Sequence, residues 1–529
     1  MRGYVGEVGM VTGYIVRKNE YYDSVFLMRV AKRMSEQRGV VQVAALMGTD
    51  KNKGLLAEIG VTGAEISESM PSDLIVAIKA DRQEALASVL ENIDRWLNVD
   101  LGSNRTSLIT TLGEAMAVQP HSNLAVISVP GPYAAREAQK ALEHGLNVFL
   151  FSDNVPLESE LSIKSYAREH GLIVMGPDCG TAIIGGVGIG FANAVRQGPI
   201  GVIGASGTGI QEFTTLVHHA GSGISHAIGT GGRDLSDAIG GISLLSSLDA
   251  LESDISTKVI AILSKPPGRL ALSNLISRII RCQKPVVTCF LGFKEDLPHT
   301  NIRFRTAHTL EDAALISVEM ATGQPLPRFN PNSRQFQALI QAERAGKKPE
   351  QRYIRGLFAG GTFCYQAQQI LQDAGMVVHS NAPLNGNLKL ADPMRSDGHT
   401  LVDMGADEFT VGRPHPMFDS RLRCERLLFE AQDPQMAIIL LDFILGFSSS
   451  PDPAGELVPV VAEAKREVRK RGGSLSVVAS ICGTEADPQN LQQQMKLLVD
   501  AEVVVFPSSA QAARFCALLA TTLMEPSYA

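Results

Sequence analysis

Two short glycine-rich segments carry residue types that suit the binding of an anion. Residues 205–209 read ASGTG and residues 359–362 read AGGT; each follows an apolar run and precedes a stretch whose apolar residues recur every three to four positions. Glycine lets the backbone approach a ligand, and the unpaired amides at a helix amino-terminus favour a negative charge. We therefore predict two strand–turn–helix units with these phosphate-binding residues: Ser206, Gly207, Thr208, Gly209, Gly360, Gly361 and Thr362.

The two segments match each other at a constant offset of 154 positions, so that Gly207 corresponds to Gly361 and Thr208 to Thr362. Two helix amino-termini aimed at one phosphate would bind it more strongly than either alone, and the match favours paired half-sites. The alternative is that each segment is an ordinary turn of a doubly wound α/β domain. Neither contains the lysine of a P-loop, which argues against autonomous nucleoside triphosphate hydrolysis.

A third glycine cluster, at 229–232, ends in Gly231 and Gly232 and is followed by Arg233 and Asp234. We predict that the two glycines help to bind phosphate. The charged pair has two interpretations that the sequence leaves open. It contacts a substrate or phosphate, or it forms a local salt bridge that closes a turn.

A loop after a predicted strand at 400–404 contains Asp403, Gly405, Arg413 and His415. Loops of this kind carry the binding groups of α/β domains. We predict Asp403, Arg413 and His415 as catalytic residues and Gly405 as a phosphate-binding residue, and we expect His415 to bind or orient substrate. The alternative is a surface loop stiffened by the two prolines that flank His415, in which the histidine only forms a hydrogen bond.

The elements that position these residues alternate between strand and helix patterns. This alternation indicates an α/β protein with several Rossmann-like or flavodoxin-like doubly wound parallel-sheet domains. The predicted units are 12–97, 111–197, 198–321 and 353–525, with a linker or a solvated helix at 322–352. A further polar stretch at 98–107 also suggests a linker. The glycines at 185–190 imitate a dinucleotide fingerprint, but neither a helix nor a suitably spaced acidic residue follows them.

The composition excludes several classes of function. The 529 residues carry a net charge of −7, which argues against a nucleic-acid-binding protein. No apolar run approaches the roughly 20 residues that cross a bilayer. Seven scattered cysteines without a C-x-x-C pair predict reduced thiols and no zinc site. We expect a cytoplasmic protein without a secretory signal, whose translation could start at Met10.

Several motifs resemble a known family. VPGPY, GPDC, SGT and GTGG occur in the order found in the α subunit of succinyl-CoA synthetase, at 129–133, 176–179, 206–208 and 229–232. Residues 360–362 and 401–405 resemble the carboxyl-terminal domain of its β subunit. Three further motifs are YDSVFLM, FSDNV and TVGRPHPM, at 22–28, 151–155 and 410–417. Together with the fusion of an α-like and a β-like part in one chain, they resemble the FdrA family over nearly the whole chain.

The resemblance implies an identity for each unit. Residues 111–197 correspond to the CoA-binding-like Rossmann domain, 198–321 to the ligase-like domain of the α subunit and 353–525 to the ligase-like domain of the β subunit. In the synthetase, two helix amino-termini hold the phosphate of a phosphohistidine, which implies that role for 206–209 and 360–362. The phosphohistidine segment itself has no match, because His299 and His308 lack its glycine and alanine neighbours. Ser264-Lys-Pro-Pro267 replaces the glutamate that contacts this histidine, and the ATP-grasp domain and the CoA turn are not matched either.

Three functions follow from the resemblance. The first is a phosphate-dependent carbamoyl or acyl transferase component, of the oxamate carbamoyltransferase type, which converts oxalurate and phosphate to oxamate and carbamoyl phosphate in allantoin catabolism. The second is an acyl-CoA synthetase of the succinate–CoA ligase type, with His415 as a possible phosphoryl carrier. The third is a non-catalytic binding or scaffold subunit. We expect phosphate and a small carboxylate or N-carbamoyl acid as ligands, further enzyme subunits and an oligomer; no cofactor is assigned, and CoA stays open.

Overall fold

The computed structural model describes residues 4–5, 10–20, 22, 24–58, 60–97, 109, 111–293, 303–384, 386–410 and 413–524. His299, Met1 and the predicted linker at 98–107 lie outside these residues. The chain divides into two compact units. The first comprises 1–122, 128–133 and 407–414, and the second comprises 123–127, 134–406 and 415–529.

The first unit contains one four-stranded antiparallel sheet. Its elements are β1 (Tyr4–Val5), β2 (Val11–Arg17), α1 (Ser24–Ser35), β3 (Val40–Met47), α2 (Asp50–Glu58), α3 (Ala64–Ser67), β4 (Leu74–Ala80), α4 (Gln83–Glu91), α5 (Ile93–Leu97) and α6 (Leu112–Val118). The strand order is β1-β2-β4-β3. The apolar residues of β4 are buried, and one face of the sheet packs against α1, α4 and α5.

The second unit begins with a small three-stranded parallel sheet. Its elements are β5 (Leu124–Ile127), α7 (Gly131–Glu143), β6 (Asn147–Leu150), α8 (Leu157–Glu169) and β7 (Val174–Met175). The strands follow the order β5-β6-β7, as expected for strands joined by crossover helices.

A seven-stranded sheet follows and is built around the first glycine turn. Its elements are β8 (Thr181–Ile184), β9 (Val187–Gly190), β10 (Gln197–Gly204), α9 (Gly207–His219), β11 (Ile224–Gly229), α10 (Ile242–Ser253), β12 (Val259–Ser264), α11 (Arg269–Arg281), β13 (Val286–Phe290), β14 (Phe304–Ala307) and α12 (Leu310–Thr322). The strand order is β14-β13-β12-β10-β11-β8-β9. All neighbours are parallel except the hairpin β8–β9 and its pairing with β11.

The fourth sheet is built around the second glycine turn. Its elements are α13 (Arg334–Arg344), β15 (Tyr353–Phe358), α14 (Gly361–Asp373), β16 (Val378–Ser380), β17 (Leu388–Lys389), β18 (His399–Asp403), α15 (Asp407–Thr410), α16 (Arg421–Glu430), β19 (Met436–Ile444), α17 (Pro453–Lys470), β20 (Ser476–Cys482), α18 (Leu491–Asp500), β21 (Val504–Phe506) and α19 (Ser509–Met524). The strands are all parallel, in the order β17-β16-β18-β15-β19-β20-β21; α15 belongs to the first unit.

Helices cover both faces of the two large sheets, which explains why their central strands are continuous apolar runs. Every residue of β12 and of β19 is buried. The α/β class with doubly wound, Rossmann-like parallel-sheet domains is therefore confirmed. Among the helices of the described residues, none combines the length and apolar character that a membrane span requires.

Two of the predicted boundaries differ from the structure. The hairpin β8–β9 was placed in the unit 111–197, but β8 pairs with β11 and extends the sheet of the next unit. The segment 322–352, predicted as a linker or a solvated helix, contains the helix α13, whose Phe336 and Ile340 are buried in the core beneath the fourth sheet. Both segments are held by contacts with distant residues, which local composition does not reveal.

Candidate functional site

Each glycine turn follows a central strand of its sheet, and strands that come later in the chain are added on both sides of that strand. β10 lies between β11 and β12, and β15 lies between β18 and β19. In doubly wound sheets, ligands bind beyond the carboxyl ends of the strands at such a switch point. The chain therefore places both turns, and the helices α9 and α14 that follow them, where a parallel sheet ordinarily binds a ligand.

The two turns lie against each other within the second unit. The Ser206 hydroxyl is hydrogen-bonded to the Thr362 hydroxyl. A Cβ atom built on Gly209 would lie 3.2 Å from Cγ2 of Thr362, so the first turns of α9 and α14 are in close contact. Ser206 also accepts a 3.4 Å hydrogen bond from the Gly209 N–H as the cap of α9. The structure thus brings together the two segments that the sequence pattern had paired.

A reciprocal pair of buried side chains holds the two helices in this arrangement. Glu212, the sixth residue of α9, accepts hydrogen bonds of 2.6 and 2.7 Å from the N–H and hydroxyl of Ser509, at the start of α19. Gln366, the sixth residue of α14, accepts a 2.8 Å hydrogen bond from the Leu310 N–H at the start of α12 and donates one of 2.6 Å to the Ser509 hydroxyl. Each glycine-turn helix is therefore anchored to the last helix of the other sheet. Burial raises the pKa of Glu212 to about 7.

Glycine is required at 361 because of a close approach. A Cβ atom on Gly361 would lie 2.5 Å from Oδ2 of Asp403, at the end of the neighbouring strand β18. Asp403 also accepts a 3.0 Å hydrogen bond from the Gly405 N–H through Oδ1. A carboxylate at the amino-terminus of a helix is favourably placed in the field of the helix dipole. Asp403 therefore adds one negative charge at the edge of the second turn.

His415 lies beside Gly405, on the side that faces the glycine turn: a Cβ atom on Gly405 would also lie 3.0 Å from the carbonyl oxygen of Ala359. A Cβ atom on Gly405 would lie 2.7 Å from Nε2 of His415 and 3.2 Å from Oδ1 of Asp403. The Met417 N–H donates a 3.2 Å hydrogen bond to Nδ1, so the neutral ring carries its proton on Nε2. Burial and the positive charge of Arg423 lower the pKa of His415 to about 4. Near neutral pH the ring is therefore an uncharged donor directed toward Gly405.

A buried ion pair holds the backbone of the second glycine turn in place. Asp442 on β19 accepts hydrogen bonds from the N–H groups of Ala359 and Gly360, at 2.8 and 2.7 Å, and pairs with Arg423 at 2.9 Å. Neither Asp442 nor Arg423 is more than 4% exposed. Burial raises the pKa of Asp442, and Arg423 opposes that shift. Neither residue is among those predicted from the sequence, although Asp442 is the one charged residue in the apolar run MAIILLDFI, which is a usable signal.

The third glycine cluster reaches the first turn, but the charged residues after it do not. Thr230 donates a 2.9 Å backbone hydrogen bond to Gly204, and the nearest atom to a Cβ on Gly232 would be the carbonyl oxygen of Ala205, at 4.0 Å. Gly231 has a φ of +83° and a Cβ there would lie 2.3 Å from the Pro177 carbonyl oxygen, so glycine is needed here for the backbone conformation and for close packing.

The interpretations of Arg233 and Asp234 need correction. Asp234 is fully buried, accepts a 2.8 Å hydrogen bond from Lys164 on α8, and also accepts the Leu244 N–H at the start of α10. Arg233 pairs with Glu160 of α8 at 2.8 Å. The two residues therefore do not close a turn by pairing with each other, and the Asp234 carboxylate joins helices instead of facing a ligand. Arg413 is exposed and belongs to the first unit, so its catalytic role stays a prediction.

Three family models match the chain. Residues 357–519 match a CoA-ligase model, residues 195–282 match a CoA-binding-domain model, and residues 10–107 match a model described as AllF, heavy metal-associated domain. The CoA-binding match lies in the segment predicted as ligase-like, not in 111–197. The CoA-binding match includes the first glycine turn, and the CoA-ligase match includes the second.

The heavy-metal description does not fit the residues of the matched segment. The first histidine of the chain is His121 and the first cysteine is Cys179, so residues 10–107 contain neither type. Heavy metals of the soft class select thiolate and imidazole ligands and also thioethers, and of the methionines in this segment Met34 and Met47 are buried in its hydrophobic core. The described residues contain no group of three or more potential His, Cys, Asp or Glu metal ligands. We therefore assign no metal chemistry to this unit.

Solved structures with a similar fold include a dinucleotide-forming acetyl-coenzyme A synthetase of Ca. Korarchaeum cryptofilum, with 16% identity and a TM-score of 0.32 over 76% of this chain and 83% of that one. The ATP citrate lyase of Methanothrix soehngenii has 14% identity and a TM-score of 0.35 over 78% and 84%.

Curated relatives resemble the chain in part or throughout. The α subunit of succinate–CoA ligase from Methanothermobacter thermautotrophicus is 30% identical over 173 residues, which cover 32% of this chain and 57% of that subunit. The uncharacterized protein YahF of Escherichia coli K12 is 42% identical over 496 residues, which cover 94% of this chain and 96% of YahF. The chain therefore belongs to the same family as YahF, a family with CoA-binding and CoA-ligase domains similar to those of succinate–CoA ligase.

Proposed function

We propose that the protein is an acyl-CoA synthetase of the succinate–CoA ligase type, in which the paired glycine turns hold the phosphoryl group during acyl transfer. The single observation that carries the proposal is the contact between Ser206 and Thr362, which holds the two turns against each other. The family matches support the same conclusion, because the CoA-binding and CoA-ligase models each contain one of these turns. This replaces the carbamoyl transferase as the preferred function.

The half-reaction that suits the site is the exchange of a thioester and phosphate for an acyl phosphate and CoA. A phosphate oxygen attacks the thioester carbonyl carbon, the carbon–sulfur bond breaks, and the CoA thiolate leaves and takes up a proton. Ser206 accepts the Gly209 N–H and Asp442 accepts the Gly360 N–H, so the other amides at the starts of α9 and α14 stabilise the charge on the phosphate. Close approach of the phosphate to the backbone requires that no side chain project from Gly207 or Gly361.

His415 suits binding better than phosphoryl transfer. A phosphoryl carrier needs an unprotonated ring nitrogen that faces the phosphate. The Met417 N–H occupies the lone pair of Nδ1, so the neutral ring keeps its proton on Nε2, the nitrogen nearest Gly405. To expose a lone pair on Nε2 the ring would have to change tautomer and give up the bond from Met417. We propose that Nε2–H donates to an oxygen of the phosphate or of the acyl group.

The experiment is a phosphate-dependent thiol-release assay with the full-length protein. Short-chain and dicarboxylic acyl-CoA thioesters are incubated with and without inorganic phosphate, released CoA is measured with a thiol reagent, and acyl phosphate is trapped with hydroxylamine. We expect thiol release and hydroxamate formation only when phosphate is present. Thiol release that does not depend on phosphate would contradict the proposal. So would the absence of both products with every thioester, if the protein's melting temperature also does not respond to phosphate.

A second candidate is the phosphorolysis of an N-carbamoyl acid, which would extend the resemblance to the FdrA family and to oxamate carbamoyltransferase. It is favoured by one feature: the segment that resembles the phosphohistidine region lacks that motif, so free phosphate is a natural substrate. In this reaction phosphate attacks the carbamoyl carbon and an amide leaves. Incubation of the protein, with the products of neighbouring genes, in oxalurate and phosphate tests it by the appearance of carbamoyl phosphate. We propose that such partner subunits and an oligomer belong to either reaction.

A further inference from the structure

Lys265 lies at the edge of the sheet that carries the first glycine turn. It follows the last residue of β12, the strand that pairs in parallel with β10. The register aligns Gly204 with Leu263, and the Ala205 N–H donates a 3.0 Å hydrogen bond to the Leu263 carbonyl oxygen. The backbone next to Lys265 therefore runs beside the turn that leads into Ser206.

The Lys265 side chain extends toward the second turn. Its ammonium lies over the ring of Tyr365, with Nζ 5.0 Å from the ring centroid. Tyr365 is one helical turn beyond Gly361 on α14, and helical side chains lean toward the amino-terminus. The backbone of Lys265 thus follows a strand of the sheet that carries the first turn, and its ammonium contacts an aromatic side chain of α14, the helix that follows the second turn.

The ammonium is not neutralised by a carboxylate within the described part of the chain. Lys265 is exposed, and among these residues its recorded contact is the one with Tyr365. Burial raises the pKa of the Cys364 thiol, the charge of Asp403 adds to that shift and the charge of Lys265 opposes it, so both charges act on the start of α14. The Asp403 carboxylate disfavours a phosphate dianion at this turn, and a nearby ammonium offsets that effect.

We infer that Lys265 is the cationic ligand of the anion site and selects a phosphoryl dianion over a monoanionic carboxylate. The inference rests on the proposed function, because it assumes that an anion occupies the paired turns. An ammonium contributes a long-range attraction that grows with the charge of the ligand. The aromatic ring beneath it keeps the flexible side chain over α14 without neutralising it.

The test is a titration of the full-length protein with inorganic phosphate, followed by thermal shift and by ³¹P line broadening. Lys265→Met removes the charge, and Lys265→Arg keeps it. Lys258→Met is the matched control, because Lys258 is exposed and immediately precedes the opposite end of the same strand. A charge-assisted hydrogen bond contributes enough that we expect Lys265→Met to raise the Kd for phosphate about tenfold or more, while Lys258→Met changes it less than about twofold.

A parallel titration with desulfo-CoA identifies which phosphoryl group the ammonium serves. We expect Lys265→Met to leave the Kd for desulfo-CoA within about twofold, and Lys265→Arg to recover most of the phosphate affinity. The inference is overturned if Lys265→Met binds phosphate like the wild-type protein, or if only desulfo-CoA binding is weakened. In both cases a normal phosphate response of the wild-type protein leaves the proposed function standing. If the wild-type protein itself shows no response to phosphate, the inference and the anion site fall together.

Discussion

A double-mutant cycle on Ser206 and Thr362 tests the contact on which the site depends. Ser206→Ala removes two interactions: the cap on the Gly209 N–H and the hydroxyl–hydroxyl bond to Thr362. Loss of a serine cap costs about 1 kcal/mol and loss of a neutral hydrogen bond about another 1 kcal/mol. We therefore expect Ser206→Ala to lower the free energy of unfolding by about 2 kcal/mol.

Thr362→Val removes only the shared hydrogen bond while keeping the shape of the side chain, so we expect a loss of about 1 kcal/mol. The double variant should then lose about 2 kcal/mol instead of about 3, which is a coupling energy of about 1 kcal/mol between residues 156 positions apart. Denaturant unfolding measures these values, and a phosphate titration shows whether the coupled variants also lose the anion.

Thr208→Val is the control for this cycle. Thr208 corresponds to Thr362 in the repeated pattern and lies in the first turn of α9, but no side-chain hydrogen bond of its hydroxyl is recorded among the described residues. Because Thr208 and Ser206 share no side-chain hydrogen bond among the described residues, we expect their coupling energy to stay below the value of about 1 kcal/mol expected for Ser206 and Thr362. A coupling energy between Ser206 and Thr362 that is no larger than this control would refute the direct contact between the two turns.

Three further predictions concern the second half-site. Gly361→Ala should abolish phosphate-dependent stabilisation, because its Cβ would lie 2.5 Å from a carboxylate oxygen, whereas Gly54→Ala, on helix α2 with no atom within 4 Å of the added Cβ, should retain it in the same thermal-shift assay. Asp442→Asn should cost about 3–5 kcal/mol in denaturant unfolding, because it leaves the buried Arg423 without its charged partner; a loss below about 1 kcal/mol would contradict this. Folding lowers the pKa of His415 from 6.5 to about 4, so the unfolded chain binds the proton more tightly and stability is lost as the pH falls through that interval. His415→Asn should remove this part of the pH dependence of the free energy of unfolding. Parallel stability curves of the wild type and the variant between pH 4 and 6.5 would contradict the lowered pKa.

Local pattern was sufficient to locate the strands and helices that flank the two glycine turns. The apolar runs before residues 205 and 359 and the helical spacing after them predicted both strand–turn–helix units, and β10–α9 and β15–α14 are the result. Glycine and small polar residues constrain the backbone over a few positions, and that constraint is visible in any one sequence. The repetition at 154 positions also suggested that the two turns form one site.

Only the tertiary structure decided which distant residues support these turns. Asp442 and Arg423 hold the second turn, Glu212 and Gln366 anchor the two helices across the two sheets, and Lys265 reaches α14 from β12. The pairing partners of Arg233 and Asp234 on α8, and the attachment of the hairpin β8–β9 to β11, were equally invisible. In each case the partners are far apart in the chain. Their contact depends on how the strands are ordered in the sheets and how the helices pack, whereas composition and periodicity report only the conformation of neighbouring residues.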